Sequence, residues 1–461
     1  MWLTGVLSAA VVSCPVTHTG AAEGRDMAVR TPSRPEPPAR VVARVDIVPE
    51  DSGVDASLAA DLARRARLVD LDPEPLAPFF DALLEMRSSG KGVVRVLHYG
   101  DSHTAADILT AAMRRSLQQR FGDGGRGFVL LGRPWRSYLP KDVATSAHGH
   151  WRSERILIAA DPATLDGRYG LGGVSTNGYE QGASASVRTM PAPGPGNRVS
   201  RFEVFFMEQP NGGSFQALVD GKRRAVVSTG RPRIGSGFFR MDVPEGEHEM
   251  EVRLRGDGPV RLFGAVLEND GPGVVYDAAG VNGAFFYTPL RWDADLLAEQ
   301  VKERDPKLLV TLYGANEADS RTITRESYAD DVRRVIARLR AGAPAAACLM
   351  LGPMDRSTTS LRGGTLSAER LNWIIEVQAD VADEIGCAFL NTRALMGGPG
   401  SITRWAAQSP AWAQPDGVHL TSRGYTELGN ALGKEILDAF DRYVAGLDDP
   451  EPENGNEAEP R

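Results

Sequence analysis

The chain has 461 residues and a formal net charge of −8, with 52 Lys and Arg against 60 Asp and Glu. An acidic chain without a basic block is a poor partner for a phosphate backbone, so the composition argues against nucleic-acid binding. With 42% hydrophobic residues, the chain can bury a large core, which fits a globular protein of two or three structural units.

The N-terminal region has the pattern of an export signal. Residues 1–22 form an apolar stretch that ends in small residues and is too short to cross a membrane, although no Lys or Arg precedes it. Val11–Cys14 resembles a lipobox, which would anchor the product through Cys14, whereas cleavage after Gly20–Ala22 would release it. We therefore expect an exported protein that is periplasmic, lipid-anchored or secreted; the alternatives are an incorrectly chosen start codon and a disordered tail.

Residues 23–55 are predicted to be a disordered linker, and residues 56–144 are predicted to be the first part of the main domain.

A short apolar strand runs into a polar turn near residue 100. Val93–Leu97 predicts a buried strand, and the Ala-rich segment after His103 has helical spacing. Ser102 therefore lies between a strand and a helix, where it could act as a nucleophile beside free backbone N–H groups or merely cap the helix.

The glycines at positions 122, 124 and 127 fit the spacing G-x-G-x-x-G. A dinucleotide-binding fingerprint must follow a strand and open a helix, but this run follows a predicted helix. We interpret it as a helix stop and a loop, not as a nucleotide site.

Residues 145–270 differ in character from their surroundings. Helical spacing gives way to short alternating runs, as in Phe202–Phe206, Phe215–Val219 and Met250–Leu254, separated by Gly-containing turns. Short strands joined by tight turns predict a β-sandwich or jelly roll, inserted between two parts of the main domain. Arg255-Gly256-Asp257 is interpreted as a hairpin turn of this insertion.

Strand and helix patterns alternate from residue 271 to 445, the predicted second part of the main domain. Helical segments separate short apolar strands at Val274–Tyr276, Leu308–Tyr313, Cys348–Leu351 and Ala388–Leu390. This alternation predicts the α/β class, with a parallel sheet covered by helices on both faces. Residues 446–461 are acidic and Pro-rich, and they are predicted to be a disordered tail.

Two of the three cysteines, Cys348 and Cys387, lie in apolar runs. Buried cysteines are common in protein cores, so the sequence leaves open whether these two form a disulfide. No spacing of Cys and His residues suggests a zinc site.

His419 is the best placed of the seven histidines to serve Ser102 as a base. It lies in a loop just before the last predicted helix, and Asp416, three residues earlier, could fix the tautomer of its imidazole. The alternative is a surface aspartate with a capping histidine. His103 adjoins Ser102, which makes it a poor base but a candidate site-shaping residue, and Asp101 is expected to shape the turn.

Two further strand ends carry residues that could bind an oxyanion. Asn316 follows the strand that begins at Leu308, and its side-chain amide could donate an N–H. Gly283 follows the strand at Val274, where the lack of a side chain lets its backbone N–H come close to a ligand. The carboxyl ends of parallel strands share one edge of the sheet, so these residues are expected near Ser102. Asn316 alone could equally be an ordinary turn residue.

Taken in order, four blocks resemble those of the SGNH/GDSL hydrolase family: Ser102 in GDSH, Gly283 in GVNGA, Asn316 in YGANE, and Asp416 with His419 in DGVH. The chain looks most like the family's exported peptidoglycan O-acetylesterases, because it has GDSHTAAD, GDGGRGF and a β-rich insertion before GVNGA. The family usually has GDSL, and His103 stands here in place of the Leu, as in that subgroup. The resemblance covers roughly residues 90–130 and 271–445. It implies a three-layer α/β/α hydrolase with an inserted, carbohydrate-binding-like β-sandwich.

The resemblance also implies a serine esterase that removes O-acetyl groups from peptidoglycan or another polysaccharide. Ser102 would attack the ester, His419 would act as base, and Asp416 would orient His419. The backbone N–H groups of Ser102 and Gly283 and the amide of Asn316 would hold the oxyanion.

No metal or cofactor is expected from the resemblance, the expected partner is an acylated polysaccharide, and the oligomeric state is left open. The enzymatic alternatives on the same fold are a polysaccharide O-acetyltransferase and a lipid esterase or thioesterase. The non-enzymatic alternative is a carbohydrate-binding protein.

Overall fold

The computed structural model describes most of the chain between residues 61 and 448, namely residues 61–62, 70–132, 134–135, 138–156, 166–190, 196–357 and 368–448. These residues belong to one compact unit, Val54–Arg461. The predicted export signal with Cys14 and the predicted linker 23–55 lie outside the described residues. Of the predicted tail 446–461, residues 446–448 continue the last helix, Ser422–Asp448, and the others lie outside the described residues. No helix in the described ranges is long and apolar enough to span a membrane.

Helices and strands alternate at both ends of the described chain, and strands alone occupy its middle. The helices are α1 (Ala77–Ser89), α2 (Ser102–Ala105), α3 (Leu109–Phe121), α4 (Ala294–Arg304), α5 (Arg325–Arg340), α6 (Ala368–Glu384), α7 (Thr392–Met396), α8 (Ser401–Ala406) and α9 (Ser422–Asp448). The strands are β1 (Val93–Gly100), β2 (Gly127–Val129), β3 (Val143–His148), β4 (Arg152–Arg155), β5 (Val174–Gly178), β6 (Ser184–Thr189), β7 (Val199–Glu208), β8 (Ser214–Val219), β9 (Lys222–Ser228), β10 (Gly235–Gly246), β11 (Glu249–Leu254), β12 (Val260–Glu268), β13 (Gly273–Gly280), β14 (Leu308–Leu312), β15 (Ala347–Leu351) and β16 (Ala388–Leu390).

Five parallel strands form a sheet in the order β13-β1-β14-β15-β16. Successive side chains of β14 enter different apolar clusters: Leu308 and Val310 pack with residues of α1, α3 and α9, and Leu309 packs with residues of α4, α5 and α6. Burial on both faces explains why these strands read as continuous apolar runs. The predicted parallel sheet with helices on both faces is confirmed.

The segment after Ser102 forms two helices, although its spacing predicted one. The break lies at Asp107, which adopts the left-handed conformation with φ +51°. The Asp107 carboxylate accepts hydrogen bonds from Arg126 Nη2 at 2.5 Å, from Lys141 N at 2.8 Å and from Thr110 Oγ1 at 2.8 Å. Aspartate tolerates this backbone region better than most residues, and its partners from distant segments hold it there.

Two antiparallel sheets are formed mainly by the chain between β1 and β13. One has the order β10-β7-β12-β5-β4, with β2 beside β12, and the other has the order β3-β6-β11-β8-β9. The sheets share an apolar cluster, to which Val204 and Phe206 contribute from the first and Phe215 and Val252 from the second. The alternating runs predicted as strands are strands, and Arg255-Gly256-Asp257 lies in the turn between β11 and β12.

The six-stranded sheet also packs against the main domain. Phe205 and Phe263 belong to the apolar cluster that contains Tyr99 of β1 and Trp292. Strand β2 pairs with β12, so antiparallel pairing begins at Gly127, within the segment that the sequence pattern assigned to the main domain. A three-residue strand is too short to show a period of its own.

Cys348 of β15 and Cys387, just before β16, form a disulfide. Their Cα atoms lie 4.6 Å apart because β15 and β16 are neighbouring strands. Both side chains are buried. The pairing depends on strand order, which is why the sequence left it open.

A buried charge cluster ties α4, β1, β12 and β13 together. Arg304 donates to Asp277 through Nε at 2.8 Å and to Glu268 through Nη2 at 2.8 Å. Arg95 makes two further hydrogen bonds to Glu268, at 2.7 and 2.8 Å. Burial on its own would raise the pKa of Glu268, but the two arginines outweigh it and lower this pKa to about 2.

Replacement of Arg304 by methionine is expected to lower the free energy of unfolding by about 3–5 kcal/mol, because two buried carboxylates lose their shared partner. Urea unfolding at pH 7 measures this loss. The folded pKa of Glu268 lies below its ordinary value of 4.5. Its contribution is therefore present above pH 4.5 and disappears as the pH falls towards 2, so the variant should approach the wild type in acid.

The control for this prediction is Arg334→Met, which removes a side chain that is 58% exposed and pairs with Asp330 on the surface of α5. This change should alter the unfolding free energy by less than about 0.5 kcal/mol. Equal losses for Arg304→Met and Arg334→Met would contradict the assignment of a buried cluster.

Candidate active site

Three strands of the parallel sheet end at the same level. Gly100, the last residue of β1, pairs with Gly280 of β13 on one side and with Leu312 of β14 on the other. The segments that leave these three strand ends carry the predicted residues Ser102, Gly283 and Asn316. The sheet therefore delivers all three segments to one edge, as expected for parallel strands.

Two glycines let the short helix α2 lie directly on the strand ends. A Cβ atom at Gly100 would lie 2.0 Å from Thr104 Oγ1, and one at Gly280 would lie 2.1 Å from Ala105 N. A side chain at either position would push α2 away from the sheet, and with it Ser102 at the start of the helix.

Ser102, His419 and Asp416 form a chain of hydrogen bonds. Ser102 Oγ lies 3.0 Å from His419 Nε2, and His419 Nδ1 lies 2.7 Å from Asp416 Oδ2. The side chains of His419 and Asp416 are 35% and 26% exposed, and Ser102 is partly exposed as well. A substrate in solution can therefore reach the group.

Asp416 is held by three donors. Its Oδ1 accepts hydrogen bonds from the backbone N–H groups of Val418 and His419, both at 2.9 Å, while Oδ2 faces the His419 ring. Burial on its own would raise the pKa of Asp416, but these hydrogen bonds outweigh it and lower the pKa. A carboxylate beside Nδ1 keeps the proton on that nitrogen and leaves Nε2 free to accept a proton from Ser102.

Two backbone N–H groups and one side-chain amide are the candidate oxyanion donors. Ser102 starts α2 and Gly283 has φ +78°, and within the described residues the N–H groups of both are without an acceptor. Asn316 Nδ2 donates to the Ala284 carbonyl at 2.9 Å and lies 3.4 Å from Asp101 Oδ2. The amide thus connects the Gly283 loop with the Ser102 turn.

Asp101 and His103 lie beside Ser102 and pack into the site. Asp101 Oδ1 caps α2 by accepting a hydrogen bond from His103 N at 3.0 Å, and burial raises the pKa of Asp101 to about 7. His103 Nδ1 lies 2.8 Å from the Tyr425 hydroxyl, and its ring centre is 5.5 Å from that of His419. Burial lowers the pKa of His103 to about 3, so the ring is neutral. Their predicted role in shaping the site stays a prediction.

Sequence reasoning missed three residues that support these groups. Glu317 directly follows Asn316 and accepts a hydrogen bond from the backbone N–H of Phe286. Arg356 donates to the carbonyl of the residue before Asn316. Tyr425 holds the His103 ring from the start of α9. Tyr425 could have been noticed as a polar-tipped residue soon after His419, whereas Arg356 gives no local signal.

The remaining sequence motifs belong to other parts of the fold. The glycine run begins where α3 ends, and residues 122–126 form the loop between α3 and β2, as interpreted from the sequence; Gly127 is the first residue of β2. His148 and His150 are exposed, and His248 Nδ1 pairs with Asp220 Oδ2 at 2.7 Å in the antiparallel sheets. Within the described residues, no group of three or more His, Cys, Asp or Glu side chains is arranged to hold a metal ion.

A sequence-family model described as the GDSL-like lipase/acylhydrolase family matches residues 246–426. The matched range contains Gly283, Asn316, Asp416 and His419, while Ser102 lies outside it. No curated protein sequence matches the chain.

A solved structure of a peptidoglycan O-acetylesterase is 24% identical to this chain, covers 79% of it and 96% of its own length, and superposes with a TM-score of 0.65. A family two carbohydrate esterase from Clostridium thermocellum, with cellohexaose, is 12% identical over 63% of this chain and 98% of its own, with a TM-score of 0.28. A family two carbohydrate esterase from Cellvibrio japonicus is 12% identical, covers 65% of this chain and 98% of its own length, and has a TM-score of 0.26. Only the first of these three scores establishes a shared fold.

The fold is thus that of the SGNH hydrolases, with a parallel sheet and two antiparallel sheets. Over residues 246–426 the chain is similar to the GDSL-like lipase/acylhydrolase family, and this match, together with the shared fold, indicates a carboxylic ester hydrolase.

Proposed function

We propose that this chain is an exported serine esterase that hydrolyses O-acetyl esters on peptidoglycan or another polysaccharide through an acyl-enzyme. The observation that carries the proposal is the chain of hydrogen bonds from Ser102 Oγ through His419 to Asp416, with distances of 3.0 and 2.7 Å. A serine within reach of a base that is itself oriented by a carboxylate is the arrangement that acyl transfer needs.

The reaction follows from this geometry. Ser102 Oγ attacks the acyl carbon and passes its proton to His419 Nε2. The oxyanion that forms receives hydrogen bonds from the N–H groups of Ser102 and Gly283 and from Asn316 Nδ2. His419 returns the proton to the departing sugar hydroxyl, which leaves the acyl group on Ser102. A water molecule, deprotonated by His419, then attacks the acyl carbon. His419 returns this proton to Ser102 Oγ as the bond from Oγ to the acyl carbon breaks, which releases acetate and restores the free serine.

Two considerations support a polysaccharide substrate. The solved structure that shares the fold belongs to a peptidoglycan O-acetylesterase. We interpret the two antiparallel sheets and their common apolar cluster as the predicted inserted β-sandwich, residues 145–270, between hydrolase segments 56–144 and 271–445. A sugar-binding module would hold a polymer, whereas such a module has no evident use with a lipid ester.

Export is supported by the disulfide between Cys348 and Cys387, since disulfides form and persist in oxidising compartments. A periplasmic, secreted or Cys14-anchored product would each meet an oxidising environment. Mass spectrometry of the mature N-terminus separates these forms.

Acetate release tests the substrate. Wild-type protein should release acetate from O-acetylated peptidoglycan or from acetylated xylan, and not from p-nitrophenyl acetate alone. Turnover of the small ester alone would contradict a polymer substrate, and acetyl transfer to a sugar acceptor would favour the O-acetyltransferase. Polysaccharide binding without any turnover would favour the carbohydrate-binding protein.

A further inference from the structure

Glu317 is a buried carboxyl group that no step of the proposed reaction uses. It opens a single 3-10 turn, Glu317–Asp319, immediately after Asn316. Its side chain is 0% exposed, and burial raises its pKa to about 8. Keeping a carboxyl group away from water is costly unless its contacts compensate, so its contacts call for an explanation.

One of these contacts reaches the loop that carries Gly283. Glu317 Oε1 accepts a hydrogen bond from the backbone N–H of Phe286. The preceding residue, Asn316, donates through Nδ2 to the carbonyl of Ala284 at 2.9 Å. Two consecutive side chains therefore hold the backbone of residues 283–286 at two points, and both points lie within three residues of the Gly283 N–H.

The turn that provides these two side chains is itself fixed. Arg356 donates to the Ala315 carbonyl, and its Nη2 donates to Asp319 Oδ2 at 2.8 Å. The Phe286 ring packs against Tyr313, with ring centres 5.2 Å apart. The turn that binds the 283–286 loop is thus itself held by Arg356 at two points.

We propose that Glu317 is a positioning residue for the oxyanion site. Its carboxyl oxygen, bonded to the Phe286 N–H, holds the 283–286 loop so that the Gly283 N–H is aligned with the oxyanion. This inference rests on the proposed function, since an oxyanion donor matters only where an oxyanion forms. The required property is an acceptor atom at this place and not a negative charge.

Three substitutions separate the acceptor from the charge. Glu317→Gln keeps the acceptor oxygen but carries no charge. Glu317→Asp shortens the side chain by one methylene and so moves the acceptor away from the Phe286 N–H. Glu317→Leu removes the acceptor. Loss of one oxyanion donor lowers kcat by about 10²–10³-fold, so a misaligned donor should cost about 10–100-fold in the Asp and Leu variants. The Gln variant should stay within about threefold of wild type, and KM should change less than about threefold throughout, because the donor acts on the transition state.

The kinetic constants must refer to folded sites. A phosphonate ester labels Ser102 covalently, and mass spectrometry of the labelled protein gives the fraction of molecules in each preparation whose Ser102 can react. The value of kcat is then expressed per labelled site. Glu435→Leu is the matched control: Glu435 is also buried, burial raises its pKa to about 7, and it lies on α9, 13 residues beyond its first residue Ser422. Its kcat per labelled site should equal that of wild type.

The outcomes separate this inference from the proposed function. Wild-type kcat per labelled site in Glu317→Leu, or an equal loss in the Gln and Leu variants, would overturn the positioning role. Asp and Leu variants that cannot be labelled at all would assign Glu317 to folding and would overturn it too. Ester hydrolysis that persists without Ser102 would instead remove the proposed function itself.

Discussion

Replacement of Ser102 by alanine is expected to lower kcat for ester hydrolysis by about 10⁶-fold, the loss that removal of the nucleophile causes in a serine protease. The physical reason is that Ser102 Oγ alone lies within hydrogen-bond distance of His419 Nε2, at 3.0 Å, among the described residues. In the proposed mechanism no acyl-enzyme forms without that oxygen, and the remaining rate comes from binding and the oxyanion donors.

The measurement has two parts. Steady-state hydrolysis of p-nitrophenyl acetate gives kcat, and intact mass spectrometry after rapid quenching shows whether an acetyl group is bound to the protein. Ser116→Ala serves as control, because Ser116 Oγ donates only to the Ala112 carbonyl within helix α3. An acetylated intermediate or undiminished hydrolysis in Ser102→Ala would exclude this serine as the nucleophile.

Replacement of Asp416 by asparagine is expected to lower kcat by about 10⁴-fold, as the equivalent change does in a serine protease. The backbone N–H groups of Val418 and His419 occupy Asp416 Oδ1, so they should bind the carbonyl oxygen of an asparagine at that position. The amide NH₂ then faces His419 Nδ1 and donates to it. That contact places the ring proton on Nε2, where it faces Ser102 and prevents proton transfer.

The tautomer can be observed directly. In ¹⁵N NMR spectra, the wild-type His419 ring should carry its proton on Nδ1, and the Asp416→Asn ring should carry it on Nε2. Asp220→Asn provides the matched control, since Asp220 pairs with His248 at the same 2.7 Å and also accepts a backbone N–H through Oδ1, but belongs to the antiparallel sheets. Full activity in Asp416→Asn, or an unchanged tautomer, would refute the orienting role.

The strand and helix pattern of the main domain could be predicted from the amino-acid sequence, and so could the residues that follow its strand ends. Buried parallel strands are apolar on both faces, so β14 and β15 stand out as unbroken runs. Short polar segments next to predicted strands or helices contain the candidate site residues Ser102, Gly283, Asn316, Asp416 and His419. The resemblance to the family rests on the order in which these segments follow one another along the chain. The alternating strands from Phe202 to Leu254 were equally visible, since a strand with two different faces has a period of two.

Contacts between residues that are far apart in the sequence depend on how the chain folds. Ser102 and His419 are 317 positions apart, and no local pattern encodes their 3.0 Å separation. The disulfide needed β15 beside β16, and the break at Asp107 needed Arg126 and Lys141 from other segments. Glu317 is the clearest example. An acidic residue is ordinarily expected at the surface, because water stabilises its charge. The burial of Glu317 and its hydrogen bond from the Phe286 N–H are visible only in the folded chain.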